Sequence, residues 1–244
     1  MAQEKKRLDI LVSEQFPQYS RSYIQSIIMQ RKVLVNGKIA DKPGTSVNID
    51  VEIKIEAKAP KFASRAGFKL EKALDHFNVD VTDLVVLDAG ISTGGFTDCL
   101  FQRGAKRVYG VDVGYGQVHE KVLTDKRLIL MERTNLRKLE KLPELVDLVT
   151  LDLSFISILK VMPAVLKLLK PNGKIITLIK PQFEAEREDV GRGGIIKDEA
   201  VHEKVMENMQ NGMKNFGFDM VGITDSPIYG AKGNKEFLAL FVRS

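Results

Sequence analysis

The sequence predicts an α/β protein: a doubly wound, mostly parallel sheet preceded by a small α+β module. Three observations carry this. From residue 84 onward, short apolar runs rich in β-branched residues alternate with helix-period segments, the order that builds parallel sheets. Far upstream, Asn36-Gly37 sits between two short apolar runs, a hairpin signal because both residues accept positive φ. The charge is also uneven. Residues 1–62 hold eleven Lys and Arg against seven Asp and Glu, and the remaining 182 hold 26 against 25.

The chain has 244 residues, 44% hydrophobic and 28% charged, enough for one medium and one small domain. No apolar run approaches the roughly 18–20 residues that span a bilayer. The basic start MAQEKKRLDI lacks the apolar stretch of a secretion signal, so a cytoplasmic protein without membrane contact is expected. Cys99 is the single cysteine, which excludes an internal disulfide and a Cys-based zinc site. His76, His119 and His202 are scattered, and no metal is expected. The net charge of +5 lies mostly in the first quarter, which suits a polyanion-binding appendage.

In the first quarter, RLDILVSEQF places Leu8, Leu11, Val12 and Phe16 at helical spacing. SRSYIQSIIMQRK carries Tyr23, Ile24, Ile27 and Ile28 on one stripe behind Ser20, a suitable N-cap. VLVNGKIA reads as a hairpin and VNIDVEIKI (47–55) as one further strand. Residues 1–57 are the first domain, the Ala/Lys/Pro-rich residues 58–64 a linker, and 65–244 the second domain.

In the second domain LVVLDAG, AKRVYGVDVG, RLILME, VDLVTLDLSF and GKIITLIKP read as strands. GFTDCLFQRG, ILKVMPAVLKLLK and residues 198–216 read as helices. FDMVGITDSPI and KEFLALFVRS, joined through YGAKGN, read as a closing hairpin that makes one edge antiparallel.

Ligands of such sheets sit outside the carboxyl ends of the strands. The residues there are Asp88, Asp112, Asn135, Asp152 and Lys180. The first βα turn, LDAGISTGGFTD, has glycines at 90, 94 and 95, neither the dinucleotide G-x-G-x-x-G nor a Walker loop. An acidic residue before that turn repels pyrophosphate and suits a cationic ligand such as S-adenosylmethionine. Asp112 is placed for ribose hydroxyls and Asn135 for adenine. Asp88, Gly90, Ser92, Thr93, Gly94, Gly95, Phe96, Asp112 and Asn135 are therefore the candidate cofactor residues. Lys180 closes the buried run Ile175–Ile179; such a lysine either snorkels to solvent or serves a site.

RLD (7–9), SRS (20–22), VLVNG (33–37) and DKPG (41–44) resemble the S4 RNA-binding domain. Glycine usually precedes that hairpin; Arg31-Lys32 stands there instead. The resemblance implies a two-helix face on structured RNA, with Arg7, Arg21, Arg31, Lys32 and Lys38 as phosphate contacts. SRAGFKLEKAL, LDAGISTGGFTDCL, LDLSFISI, LIKPQFEAEREDVGRGGIIKD and SPIYGAKGNKEFL resemble, in order, the TlyA family of haemolysin A-like ribosomal-RNA 2′-O-methyltransferases of the FtsJ class. Ala66 stands where that family often has glycine. The resemblance implies a Rossmann-like S-adenosylmethionine-dependent methyltransferase acting on ribose, with cytidine as acceptor. Ribosomal RNA or ribosomal subunits would be the partner, and a Lys-Asp-Lys-Glu catalytic tetrad would fall at Lys69, Asp152, Lys180 and Glu236. Gly191, Gly193 and Gly194 with Arg192 make 186–198 a mobile, RNA-facing loop or a plain surface loop. Two other classes stay in view: a membrane-active haemolysin, and a catalytically silent S4-containing ribosome-assembly factor.

Overall fold

The computed structural model describes residues 4–57 and 60–244, in two compact units divided between Lys61 and Phe62. Lys58 and Ala59 of the expected linker lie outside the described residues. Phe62, inside the expected linker of 58–64, is buried in the second unit with Leu70 and Leu74.

The first unit runs β1 (Lys5–Arg7), α1 (Leu8–Gln15), α2 (Arg21–Met29), β2 (Val33–Val35), β3 (Lys38–Ala40), β4 (Ser46–Asn48) and β5 (Ile53–Ile55). Its core is the helical stripe joined to the hairpin: Leu8, Val12, Ile24, Ile27, Ile28 and Val33. Ser20 caps α2 by accepting from the Tyr23 amide at 3.3 Å. Asn36 and Gly37 turn the β2–β3 hairpin at φ 48° and 73°, as a two-residue primed turn requires. Arg31 holds φ 61°, the conformation glycine adopts without strain. The single strand expected over 47–55 is two strands. β4 pairs with β1, whereas β5 pairs with β2, and the Glu52 amide between them donates to Asn36 Oδ1 at 2.8 Å. Each half finds a different partner, so the run must break.

The second unit runs α3 (Ala66–His76), β6 (Val85–Ala89), α4 (Gly95–Gln102), β7 (Arg107–Val111), α5 (Glu120–Leu123), β8 (Leu128–Met131), β9 (Val146–Leu151), α6 (Met162–Leu168), β10 (Leu169–Ile179), α7 (Pro181–Glu184), α8 (Glu199–Lys214), β11 (Phe218–Asp225) and β12 (Phe237–Arg243). They form a seven-stranded sheet in the order β11-β12-β10-β9-β6-β7-β8. Strands β6 to β10 are parallel, and β12 is antiparallel to both β10 and β11. The closing hairpin therefore inserts its second strand next to β10 and leaves β11 on the edge.

Helices cover both faces. Along β6 the pleat sends Val85, Leu87 and Ala89 into one layer, with Met162 and Val165 of α6 and Met209 of α8. Val86 goes to the other, with Leu70 of α3 and Leu100 of α4. Helices α3 and α4 approach closely: a Cβ on Gly95 would stand 2.3 Å from Ser64 Oγ and 3.0 Å from the Gly67 amide.

Candidate active site

The ends of β6, β7, β9 and β10 lie on one edge of the sheet, and the start of β12 joins them because that strand is reversed. Ile179 pairs with Phe237, so Lys180, just after β10, and Glu236, just before β12, emerge side by side. Leu151 pairs with Thr177, which places Asp152 one strand further. Lys69 reaches the same point from α3.

Two ion pairs result. Lys69 Nζ meets Glu236 Oε2 at 2.5 Å, and Lys180 Nζ meets Asp152 Oδ1 at 2.6 Å. The second contact is close in distance but off the angles of a hydrogen bond. The directional bond from Lys180 Nζ goes to Ser154 Oγ at 3.0 Å. All four charged side chains line one cavity of about 490 Å³, together with Ser154, Phe155, Gln182 and Tyr229.

A second cavity of about 430 Å³ adjoins it, lined by Gly90, Ser92, Asp112, Gln117, Thr134 and Asn135 among others. Asp152, Ser154 and Phe155 line both. Gly90 holds φ 88°, and a Cβ there would stand 2.4 Å from the Asp152 carbonyl oxygen. Only glycine lets the turn after β6 pass this close to the end of β9. Asp112 accepts from the Ser92 amide at 2.8 Å and the Gly114 amide at 2.7 Å, one on each oxygen. Asn135 Oδ1 accepts from the Arg137 amide at 3.0 Å and caps a short 3₁₀ turn.

Five of the nine expected cofactor residues line neither cavity. Asp88 is fully buried and accepts from Thr97 Oγ1 at 2.6 Å and Thr150 Oγ1 at 2.9 Å. The pleat that sends Leu87 and Ala89 one way sends Asp88 under α4. Burial pushes its carboxyl up to about 6; the two threonine hydroxyls oppose that, and nearby Asp152 adds to it. Gly94 is the N-cap of α4 at φ 85°, packed on Val122. Gly95 serves the α3–α4 contact, and Phe96 is buried in the layer between those helices and the sheet. Thr93 is exposed, with its carbonyl accepting from the His119 amide at 3.2 Å.

The model of the FtsJ-like methyltransferases matches residues 62–243, and that of the S4 domain matches residues 6–53. The chain belongs to the FtsJ-like methyltransferase family. Within it, the chain is 44% identical over 243 residues to Hemolysin A of Brachyspira hyodysenteriae, covering 97% of this chain and 99% of that protein. It is 38% identical over 221 residues to the 16S/23S rRNA (cytidine-2′-O)-methyltransferase TlyA of Mycobacterium tuberculosis, covering 89% of this chain and 82% of that protein. A solved structure named for a hemolysin from Streptococcus thermophilus superposes with a TM-score of 0.77 at 40% identity, covering 100% of this chain and 90% of that one.

In this FtsJ-like chain the basic residues expected to meet RNA divide into two kinds. Arg7 and Arg21 are tied to Asp9, which is fully buried: Arg7 donates to its two oxygens at 3.0 and 3.1 Å, Arg21 donates at 3.1 Å, and Gln25 adds a bond at 2.8 Å. Hydrogen bonding from Arg7, then from Gln25 and Arg21, holds the Asp9 carboxyl well below the usual carboxylate range despite its burial. Arg31 makes a loose, exposed pair with Asp41 at 3.5 Å, and Lys32, Lys38 and Arg192 are exposed. The loop that carries Arg192 is fastened. Asn234 donates to the Gly194 carbonyl at 2.8 Å and accepts from the Ile196 amide at 3.0 Å, and Lys232 donates to the Gly193 carbonyl at 2.7 Å.

Sequence reasoning passed over Ser154, Phe155, Gln182 and Tyr229 of this FtsJ-like site. Phe155 is 90% exposed, holds φ 63°, and stands 5.0 Å from the Phe183 ring. Both sit inside motifs read for their charged neighbours, LDLSF and LIKPQF, and no local signal marks a phenylalanine for a positive φ.

Proposed function

We propose that this protein methylates a ribose 2′-hydroxyl of ribosomal RNA, at cytidine, using S-adenosylmethionine. The observation that carries the reading is the pair of adjoining cavities, with Asp152 in the common wall and Lys69, Lys180 and Glu236 in one of them. The M. tuberculosis relative, named for this reaction, supports it.

The second cavity fits the cofactor. Its volume is in the range of small-molecule sites. Gly90 lines the cavity where the turn passes the end of β9, and Asp112 keeps lone pairs for ribose hydroxyls beyond the two amides it already accepts. Asn135 uses only its oxygen in capping. When bound, S-adenosylmethionine supplies a methyl group already activated on a sulfonium. The chain's part is to place the acceptor and move its proton. A 2′-hydroxyl must lose its proton at or near the transition state. Lys180 is either the base that takes it, once desolvation and the cofactor's sulfonium have driven off its own ammonium proton, or the group that positions the hydroxyl. Asp152 and Ser154 hold Lys180 in place, while the Lys69–Glu236 pair balances charge and holds the ribose.

The test is mass spectrometry of unmodified ribosomal RNA incubated with the full-length protein and S-adenosylmethionine. The expected product is 2′-O-methylcytidine. Cofactor binding without RNA methylation would leave the catalytically silent assembly factor. Among the described residues no helix is long and apolar enough to cross a membrane, and a liposome-leakage assay tests the membrane-active alternative directly.

A further inference from the structure

Gln182 Oε1 is buried without a hydrogen-bond partner among the described residues, and Gln182 lines the cavity that holds the two ion pairs. An unmatched buried oxygen is a standing cost to stability, and most such atoms in folded proteins are paired. A leucine would fill nearly the same space without that cost. The backbone that carries Gln182 is fixed. Gln182 lies in α7, whose Pro181 is buried. The Phe183 amide donates to the Lys180 carbonyl at 2.9 Å, and the Ala185 amide to the Pro181 carbonyl at 2.8 Å. Glu184 Oε1 accepts from the Ile158 amide at 2.8 Å, pinning α7 to the segment after β9. His202 Nε2 is also unmatched, but it packs on Phe237 and lines neither cavity.

We propose that Gln182 holds the edge of the acceptor base, its amide oxygen taking a hydrogen bond from an N–H of that base while its nitrogen donates to the adjacent acceptor. This rests on reading the cavity as the nucleotide's. The hydroxyl chemistry there is served by Lys69, Asp152, Lys180 and Glu236. A carboxamide offers an acceptor and a donor side by side, the complement of a base edge. Proteins that read RNA sequence do so on unstacked bases through such edges.

The experiment compares wild type, Gln182→Leu and Lys180→Ala for thermal midpoint, S-adenosylmethionine affinity and methyl transfer to ribosomal RNA. Gln182→Leu is expected to melt at or above the wild-type temperature and to bind cofactor unchanged. Its kcat/KM for RNA should fall roughly 5- to 150-fold, the worth of a two-point contact to a base edge. Wild-type kcat/KM in Gln182→Leu, alongside an inactive Lys180→Ala, overturns this inference and leaves the proposed reaction standing. A lowered midpoint with a parallel loss of cofactor affinity also overturns it, since Gln182 would then be structural. Full turnover by Lys180→Ala removes both readings.

Discussion

Lys69 and Glu236 stand 167 positions apart in the chain and meet in an ion pair of 2.5 Å. Glu236 is 3% exposed and Lys69 12%. Removing one charge leaves the other buried and unpaired, which destabilises by about 3–5 kcal/mol. Lys69→Met is expected to lose that much, and the Lys69→Met/Glu236→Gln double variant to recover much of it. Urea titrations of the four-member cycle measure the coupling. Additive losses would show that the pair does not act as a unit.

Lys180→Ala is expected to reduce methyl transfer by about 10²–10⁴-fold and to leave cofactor affinity intact by calorimetry. Lys180→Arg should fail as well, because a guanidinium does not give up its proton at usable pH. Near-normal turnover in the arginine variant would make Lys180 a fixed charge and not a base.

Asp88 predicts a pH dependence of stability. Its folded pKa, about 6, lies above the ordinary carboxyl value of 3.8, so the folded chain binds this proton more tightly than the unfolded one. The stabilisation is fully present below about pH 4 and is lost as pH rises through 6. At roughly 1.4 kcal/mol per unit, it amounts to about 3 kcal/mol. Asp88→Asn keeps an acceptor and a donor for Thr97 and Thr150, and should flatten this part of the profile. Urea midpoints at pH 4 and pH 7 for both proteins check it, and parallel profiles would count against a buried, ionising Asp88.

Gly90→Val and Asp112→Ala are both expected to weaken S-adenosylmethionine binding, for different reasons. The valine displaces the turn from the end of β9, and the alanine removes an acceptor from the cavity wall. Calorimetry on the two variants decides. Unchanged affinity in both would move the cofactor elsewhere.

In the S4 unit, reversing charge at Arg7 or Arg21 would uncover buried Asp9 and confound folding with binding. Reversal at Arg31, Lys32 and Lys38 avoids that. It is expected to weaken RNA binding and flatten its salt dependence, each lost phosphate contact removing roughly 0.7–0.9 from the log–log slope. A chain starting at Lys61 should fold, because its layers draw on residues from Phe62 onward. It should bind ribosomal RNA more weakly and with a shallower slope. Equal affinity and slope would take the anchoring role away from the S4 unit.

Where a residue's place depends on its own strand or turn, the sequence was sufficient. Ser20, Asn36 and Gly37 do what their types dictate. Asp112, Asp152 and Lys180 end apolar runs, and therefore stand on the ligand edge of a parallel sheet. What escaped depends on partners. The run 47–55 alternates well, but alternation does not say that its halves pair with different strands. Asp88 also closes an apolar run, yet the face it takes follows from the pleat and from which helix covers that face. Gly90 and Gly95 look alike in sequence. One lets a turn pass the end of β9, and the other lets two helices touch. Gln182 and Phe155 carried no charge to draw attention.

The reversed direction of β12 has a consequence in time. It brings Glu236, made 167 residues after Lys69, to the same edge as the other three charged groups. At about 5–20 residues per second, a ribosome needs roughly 8–33 s to go from one to the other. The S4 unit leaves the ribosome first and is complete in sequence throughout that interval. The site closes only when the last strand slides between β10 and β11, so a chain interrupted before β12 lacks the fourth of these charged groups.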